Sequence, residues 1–469
     1  MIKIKQLTLN NVGPYQEQLF SFHVKKGHPD IHIFTGANGT GKTTILHSLA
    51  SIFDNYSEPD EHKAYSGNNL HKRFYFFEEG ISESDKIIDK SRKSNVDIVL
   101  GNTTKQIYKS LSLYGCKNCK NLHTETSILD YDHNKLDDYA YFDYLIDSYR
   151  RLSTGENTNN QKVSFAAFAY SGYRYIRSEN LKMEDNQKFN PLRNALTFVK
   201  EPDNQFGLSA WIRSRYSKAA IEEIHGNKDI AEKYRKTLNN LIDSINELTD
   251  HEYCIKIETN PWQVGVFYQD KFLEFDILPD GLRSIMSWLG DLLMRLDEIA
   301  WEDKAIPVTE QNIILFLDEI EVHLHPTWQY KILPLVKRLF PNAQVFITTH
   351  SPFIINSIDN AKIYRLENNN GKSQLIETLM SETGFSISYV LKYILNAKNM
   401  FGIETVKNIE RFNEIDAEIA SENFSNENEF KGLVKKLAQE GDEVLTIISS
   451  KLFRLESITG KNYLNGSNN

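Results

Sequence analysis

The chain has 469 residues, of which 40% are hydrophobic, and a formal net charge of −9. That length allows one large core with insertions, or two to three domains. The acidic balance argues against coating nucleic acid through the average field, although a local basic patch could still bind DNA or RNA. No run of about 18 consecutive apolar residues is present to span a bilayer, no signal-peptide pattern opens the chain, and three cysteines cannot build a disulfide framework. A soluble, cytoplasmic protein without a membrane partner is expected.

Ile2, Ile4, Leu7 and Leu9 alternate imperfectly with polar residues, which predicts a half-buried strand. Asn11-Val12-Gly13-Pro14 breaks it, residues 19–24 read as its hairpin partner, and His28-Pro29-Asp30 turns the chain into the apolar run 31–34. Residues 36–43, GANGTGKT, then satisfy the phosphate-loop pattern G-x-x-x-x-G-K-[ST] between a strand and a helix. Gly36, Gly39 and Gly41 let the backbone take positive φ, so that the N–H groups of Ala37, Asn38, Thr40 and their neighbours turn inward around anionic oxygens. Lys42 adds a charge for the β- and γ-phosphates, Thr43 offers a hydroxyl to Mg²⁺, and Thr44 lies in the first turn of a helix whose N–H groups face the phosphates. ATP with Mg²⁺ is the expected ligand.

Residues 55–162 are polar, with strand-like patches at 73–77, 97–100 and 107–114, and read as an insertion. Cys116, Cys119 and His123 raise the question of zinc, but no second ligand pair accompanies them apart from the isolated His133. Residues 153–160 have linker composition. The small apolar run 163–169 predicts a central buried strand, delivering the polar loop 170–174 to the edge where α/β sheets keep their ligands. Helical spacing across 211–250 predicts one or two amphipathic helices. Next, the strand-like run 272–278 leads into Asp280-Gly281-Leu282-Arg283-Ser284 and a helix, a second candidate phosphate-facing element.

Five apolar residues, 313–317, end in Asp318-Glu319 and predict a buried parallel strand carrying two carboxylates to the sheet edge. Asp318 can hold Mg²⁺, while Glu319 can orient or deprotonate the water that attacks the γ-phosphate. His323 and His325 follow in a loop, with a metal role disfavoured. Residues 344–348 predict another buried strand, after which His350 can donate a hydrogen bond to the γ-phosphate. Helical patterning runs through 382–455 and the end of the chain should fray.

In order and spacing, GANGTGKT, LPDGLRS, IILFLDE, IEVHLHPTWQ and FITTHSPFII resemble the motifs of ABC-type ATPase heads of the SMC and overcoming-lysogenization-defect kind. The resemblance implies an α/β fold: a P-loop ATPase head with a mixed sheet, built from 1–55 and 163–370, an inserted α+β region at 56–162, and a C-terminal helical region at 371–469. It further implies a signature motif at 278–284, a D-loop at 321–325, a switch histidine at His350, and catalysis by Glu319 with Lys42. In such heads two copies sandwich ATP, so Gly281 and Arg283 would act on the other chain's nucleotide in a homodimer or higher oligomer. Pro279 stands where the usual signature has serine, which removes a hydroxyl expected to touch the γ-phosphate. The usual Q-loop glutamine is not placed.

No Asp-x-Asp metal pair follows His350 on a plausible strand, and the short head, HLHPTWQ and helical tail resemble the ATPase subunit of Septu-type antiphage systems, including retron-associated ones. That resemblance implies a separate HNH-type nuclease as partner. An autonomous SMC-like ATPase in DNA repair or end-binding, and an ATP-dependent scaffold with little turnover, are the alternatives; Glu319→Gln separates functions that need turnover from those that need only binding.

Overall fold

The computed structural model describes residues 2–53, 93–101, 106–114, 149, 152, 162–172, 190–196, 198, 207–260, 262–397, 401–420 and 427–460. Cys116, Cys119, His123, His133 and the 153–160 stretch lie outside them. The chain divides into two compact units, Met1–Val390 and Leu391–Asn469.

The first unit opens with an antiparallel hairpin, β1 (Lys3–Val12) and β2 (Tyr15–Ser21), whose register sets Leu7 against Phe20 and Val12 against Tyr15. Strand β3 (Ile31–Gly36) is buried along its whole length and leads through the glycine turn into α1 (Lys42–Ser51). β4 (Lys93–Gly101) and β5 (Gln106–Tyr114) come from the polar insertion, yet β4 pairs with β1, giving a sheet of order β2-β1-β4-β5. Then come β6 (Ala166–Tyr170) and a pair of helices, α2 (Leu208–Ile224) and α3 (Lys228–Thr249), at the predicted helical stretch. A small antiparallel sheet follows: β7 (Cys254–Thr259), β8 (Trp262–Tyr268) and β9 (Lys271–Glu274).

The strand expected over 272–278 stops at Glu274, and Phe275–Ile277 forms a single 3-10 turn. The Leu278 N–H closes that turn on Phe275 O, and Leu278, with φ −66° and ψ 148°, has the extended conformation favoured before a proline. After it, α4 (Asp280–Ile285) passes through a π turn, Met286–Gly290, into α5 (Asp291–Glu298).

The rest of the unit is β10 (Ile313–Leu317), α6 (Pro326–Leu339), β11 (Gln344–Thr348), a helical turn at Pro352–Ile355, β12 (Lys362–Asn369) and β13 (Lys372–Met380). Among the described residues the main sheet has the order β13-β12-β3-β11-β10-β6, parallel except for β13. Strands in such a sheet are covered on both faces and read as unbroken apolar runs, as IILFL and QVFIT do. α1 packs on β3, β10 and β11, while α3 packs on α2, α5 and α6.

Two expectations shift. Among the described residues the run at 163–169 ends in an edge strand of this sheet, not a central one; Tyr149 helps cover it, donating to Ala167 O at 2.6 Å and stacking on Phe165, which also meets Phe53. Residues 372–380, assigned to the helical region, form β13, so helical structure begins only after it.

The second unit holds α7 (Ile403–Ala420), α8 (Glu427–Gln439) and α9 (Asp442–Thr459). Phe412, Ile415, Phe430, Val434, Leu437, Val444, Ile448, Leu452 and Leu455 make their common core. The last four sit at steps of four, four and three, one face of a helix. Arg454 and Asp416 pair at 2.6 Å.

Candidate nucleotide site

The parallel strands β3, β10 and β11 end on the same edge, so the phosphate loop, Asp318-Glu319 and Thr349-His350 meet there. Gly41 has φ 78°, and a side chain on it would come within 2.6 Å of Pro14 Cγ and 2.8 Å of Tyr15 Cε2. The β1–β2 turn thus presses on the loop, and Tyr15 OH donates to Thr40 O at 2.8 Å, while Asn368 Nδ2 donates to Gly39 O at 3.2 Å. Ala37 and Asn38 lie at the crest of the loop, Ala37 O accepting from Thr40 Oγ1 at 2.9 Å.

Lys42 is buried and its Nζ donates to Gly36 O and Ala37 O, both at 3.0 Å. Desolvation lowers its pKa from 10.5 to about 8, against the pull of Glu319, Asp318 and Glu321. Thr43 Oγ1 donates to Asp318 Oδ1 at 3.0 Å, with Oδ2 at 3.1 Å, and Thr348 Oγ1 donates to Asp318 Oδ1 at 2.6 Å. A carboxylate and a hydroxyl side by side are hard oxygen donors suited to Mg²⁺. Thr44 lies in the first turn of α1 beside them, with Thr44 O accepting from Ser48 Oγ.

Glu319 takes the left-handed conformation, φ 48°, unusual for a residue with a side chain. Its N–H donates to Thr348 Oγ1 at 2.8 Å, and the Asp318 N–H donates to Tyr170 O at 2.9 Å. Glu321 Oε1 accepts the His350 N–H at 2.6 Å. Burial raises the Glu321 pKa; burial and the Lys42 charge lower that of His350, which favours a neutral imidazole.

Gly281 lies elsewhere in the head: a Cβ on it would meet His323 O at 2.7 Å and Trp328 Cζ3 at 2.8 Å, so α4 rests on the 323–328 segment. Arg283 Nη1 reaches Asp280 Oδ1 at 3.5 Å. The structure therefore brings Lys42, Thr43, Asp318, Glu319 and His350 to one sheet edge, and sets Gly281 against HLHPTWQ. The ring of His325 caps α6, accepting weakly from Thr327 N at 3.4 Å. In the sequence Thr348 reads as an ordinary β-branched strand residue, and Glu321 enters only as the first residue of the D-loop, without its bond to His350.

A family model described as "AAA domain, putative AbiEii toxin, Type IV TA system" matches residues 31–356, well over half of the chain. The chain belongs to that family. It is an ATPase with an α/β P-loop fold. Septu protein PtuA of Bacillus thuringiensis is 21% identical to this AAA-domain protein over 362 residues, 76% of this chain and 74% of that one. "Retron Ec83 probable ATPase" of Escherichia coli is 23% identical over 400 residues, 78% of this chain and 72% of that one. "Retron Vc95 probable ATPase" of Vibrio cholerae is 23% identical over 419 residues, covering 77% and 74%. Of solved structures, the SMC head bound to the C-winged helix domain of ScpA has a TM-score of 0.45 at 13% identity, covering 80% of this chain and 98% of that one. Among the described residues no helix of this AAA-domain protein is long and apolar enough to cross a membrane.

Proposed function

We propose that this AAA-domain protein is the ATP-hydrolysing subunit of a cytoplasmic antiphage defence complex, and that its nucleotide state controls a separate HNH-type nuclease. One observation carries the catalytic part of the reading: the Asp318 carboxylate is shared by the hydroxyls of Thr43 and Thr348 and adds to the acidic field around Lys42. The N–H groups of the 36–44 segment, apart from that of Thr40, which donates to Ala37 O, wrap the phosphates, and Lys42 exchanges its two carbonyl contacts for phosphate oxygens. Thr43 and Asp318 hold Mg²⁺, which when bound neutralises charge on the β- and γ-phosphates. Glu319, held by its backbone, orients and deprotonates the attacking water. His350, favoured as neutral, donates to the γ-phosphate and, through its N–H on Glu321, links that contact to the 319–325 loop.

A second copy supplies Gly281 and Arg283 across the nucleotide, so closure of the homodimer depends on the γ-phosphate and its loss opens the interface. The PtuA and retron relatives support the defence assignment. The test is purification of tagged protein with its neighbouring genes, with Mg-ATP and after ATP depletion. A copurifying small nuclease whose binding changes with nucleotide is expected. Recovery of the protein alone, as an ATP-dependent dimer retaining DNA, would overturn the assignment in favour of a repair ATPase.

A further inference from the structure

We propose that Gly172 is a positioning residue for Glu319, a step that rests on the catalytic role proposed for that carboxylate. Strands β6 and β10 pair in parallel with Tyr170 beside Leu317, and the Asp318 N–H donates to Tyr170 O at 2.9 Å. This carries the chain leaving β6 straight past the carboxylate. Gly172 is buried there, and a Cβ on it would stand 2.9 Å from Glu319 Cβ, 3.0 Å from Glu319 Oε2 and 3.3 Å from Val322 Cγ2. Contacts below 3.0 Å between such atoms are not tolerated, so something must move.

Neither side can yield cheaply. Glu319 has a left-handed backbone, and the Thr348 hydroxyl holds its N–H at 2.8 Å. On the other side the end of β6 is held, because Tyr170 OH donates to Asp291 Oδ2 at 2.8 Å, the same oxygen that accepts Arg295 Nε at 2.6 Å, and Arg295 Nη1 donates to Pro191 O at 2.8 Å. Gly172 itself does not occupy the positive-φ region that favours glycine, so what requires a glycine here is the close approach of Glu319 and not the backbone angle. Its bare Cα leaves the space in which the Glu319 side chain stands. A misplacement of about 1 Å in a reacting group can lower a rate about 100-fold.

The test uses the full chain and four variants: G172A, E319Q, G172A/E319Q and G172A/V322A. ATP affinity, the single-turnover hydrolysis rate and the melting midpoint are measured for each. The expected result is a fall in hydrolysis rate of about tenfold or more in G172A, with ATP affinity within about twofold. Adding G172A to E319Q should change nothing further, and V322A should restore part of the G172A rate by giving the new methyl room to move away from Glu319. Hydrolysis by G172A at the wild-type rate, while E319Q is slow, would overturn the proposal alone. An equal loss in the E319Q background, or a joint fall in ATP affinity and melting midpoint, would show a structural role and also overturn it. If E319Q hydrolyses ATP at the wild-type rate, the role of Glu319 falls and the proposal with it.

Discussion

The two ends of β3 both carry buried polar clusters, and they are built to opposite purposes. At its start, Asp30 meets Lys3 at 2.5 Å and His32 at 2.9 Å, Gln344 bonds both the N–H and the C=O of Ile4, and Tyr364 OH donates to Ser21 O at 2.7 Å. Each of these groups finds its partner within the cluster, and the Asp30 pKa is lowered to about 2, desolvation being outweighed by the bonds and charges of His32 and Lys3. At its end, three carboxylates surround Lys42, whose pKa is instead pulled down to about 8 by desolvation, and whose ammonium rests on backbone carbonyls. One cluster is complete without a ligand and holds β1, β3, β11 and β12 together. The other places a cation, a carboxylate and two hydroxyls where phosphates and Mg²⁺ can take over their bonds.

That contrast predicts separable effects. The largest is at the carboxyl end: E319Q should lower ATP turnover by about 100-fold or more while shifting the melting midpoint little, as checked by phosphate release alongside thermal unfolding. At the other end the effect should reverse. D30N breaks a buried charge cluster and should cost about 3 kcal/mol of stability by urea unfolding, with ATP affinity of the folded protein unchanged. The folded pKa of Asp30 lies below its ordinary 3.8, so its contribution is present above that value and is lost as pH falls through about 2. Wild type should therefore lose stability across that window more steeply than D30N.

T348V joins the two readouts, because the hydroxyl both accepts the Glu319 N–H and donates to Asp318. It should cost about 1 to 3 kcal/mol, the penalty for a buried group left unmet, and slow turnover as well. The smallest effect is a pH slope. Lys42 is charged below about pH 8 and increasingly neutral above it, and phosphates favour the charged form. ATP should therefore bind more weakly above pH 8, by at most about tenfold per unit, and the slope should vanish in Lys42→Met when the affinities are measured by equilibrium titration.

The carboxyl end was the more legible in the sequence because its chemistry is written contiguously: GANGTGKT and IILFLDE each join a buried strand to its functional residues. The amino end was not, since His32, Asp30, Lys3, Gln344 and Tyr364 are brought together only by pairing of distant strands. The same limit hid the partner of β4: the strand-like patch at 97–100 is legible in the insertion, but its pairing with β1 depends on non-local register. The part played by Thr348 is not legible in the sequence because its hydroxyl acts through position and not through type. Pro279 is legible in the sequence, but the 3-10 turn that ends β9 at Glu274 is not. In the sequence Gly172 reads as part of a polar loop, and only the pairing of β6 with β10 sets it against Glu319.

The most direct test of the ATP-sandwich account is the molecular mass of E319Q in solution, with and without Mg-ATP, beside the same variant carrying Arg283→Glu. The account predicts that Mg-ATP doubles the mass of E319Q and that R283E prevents the doubling without weakening ATP binding by each chain. A mass unchanged by Mg-ATP, or a doubling that persists in R283E, would contradict it.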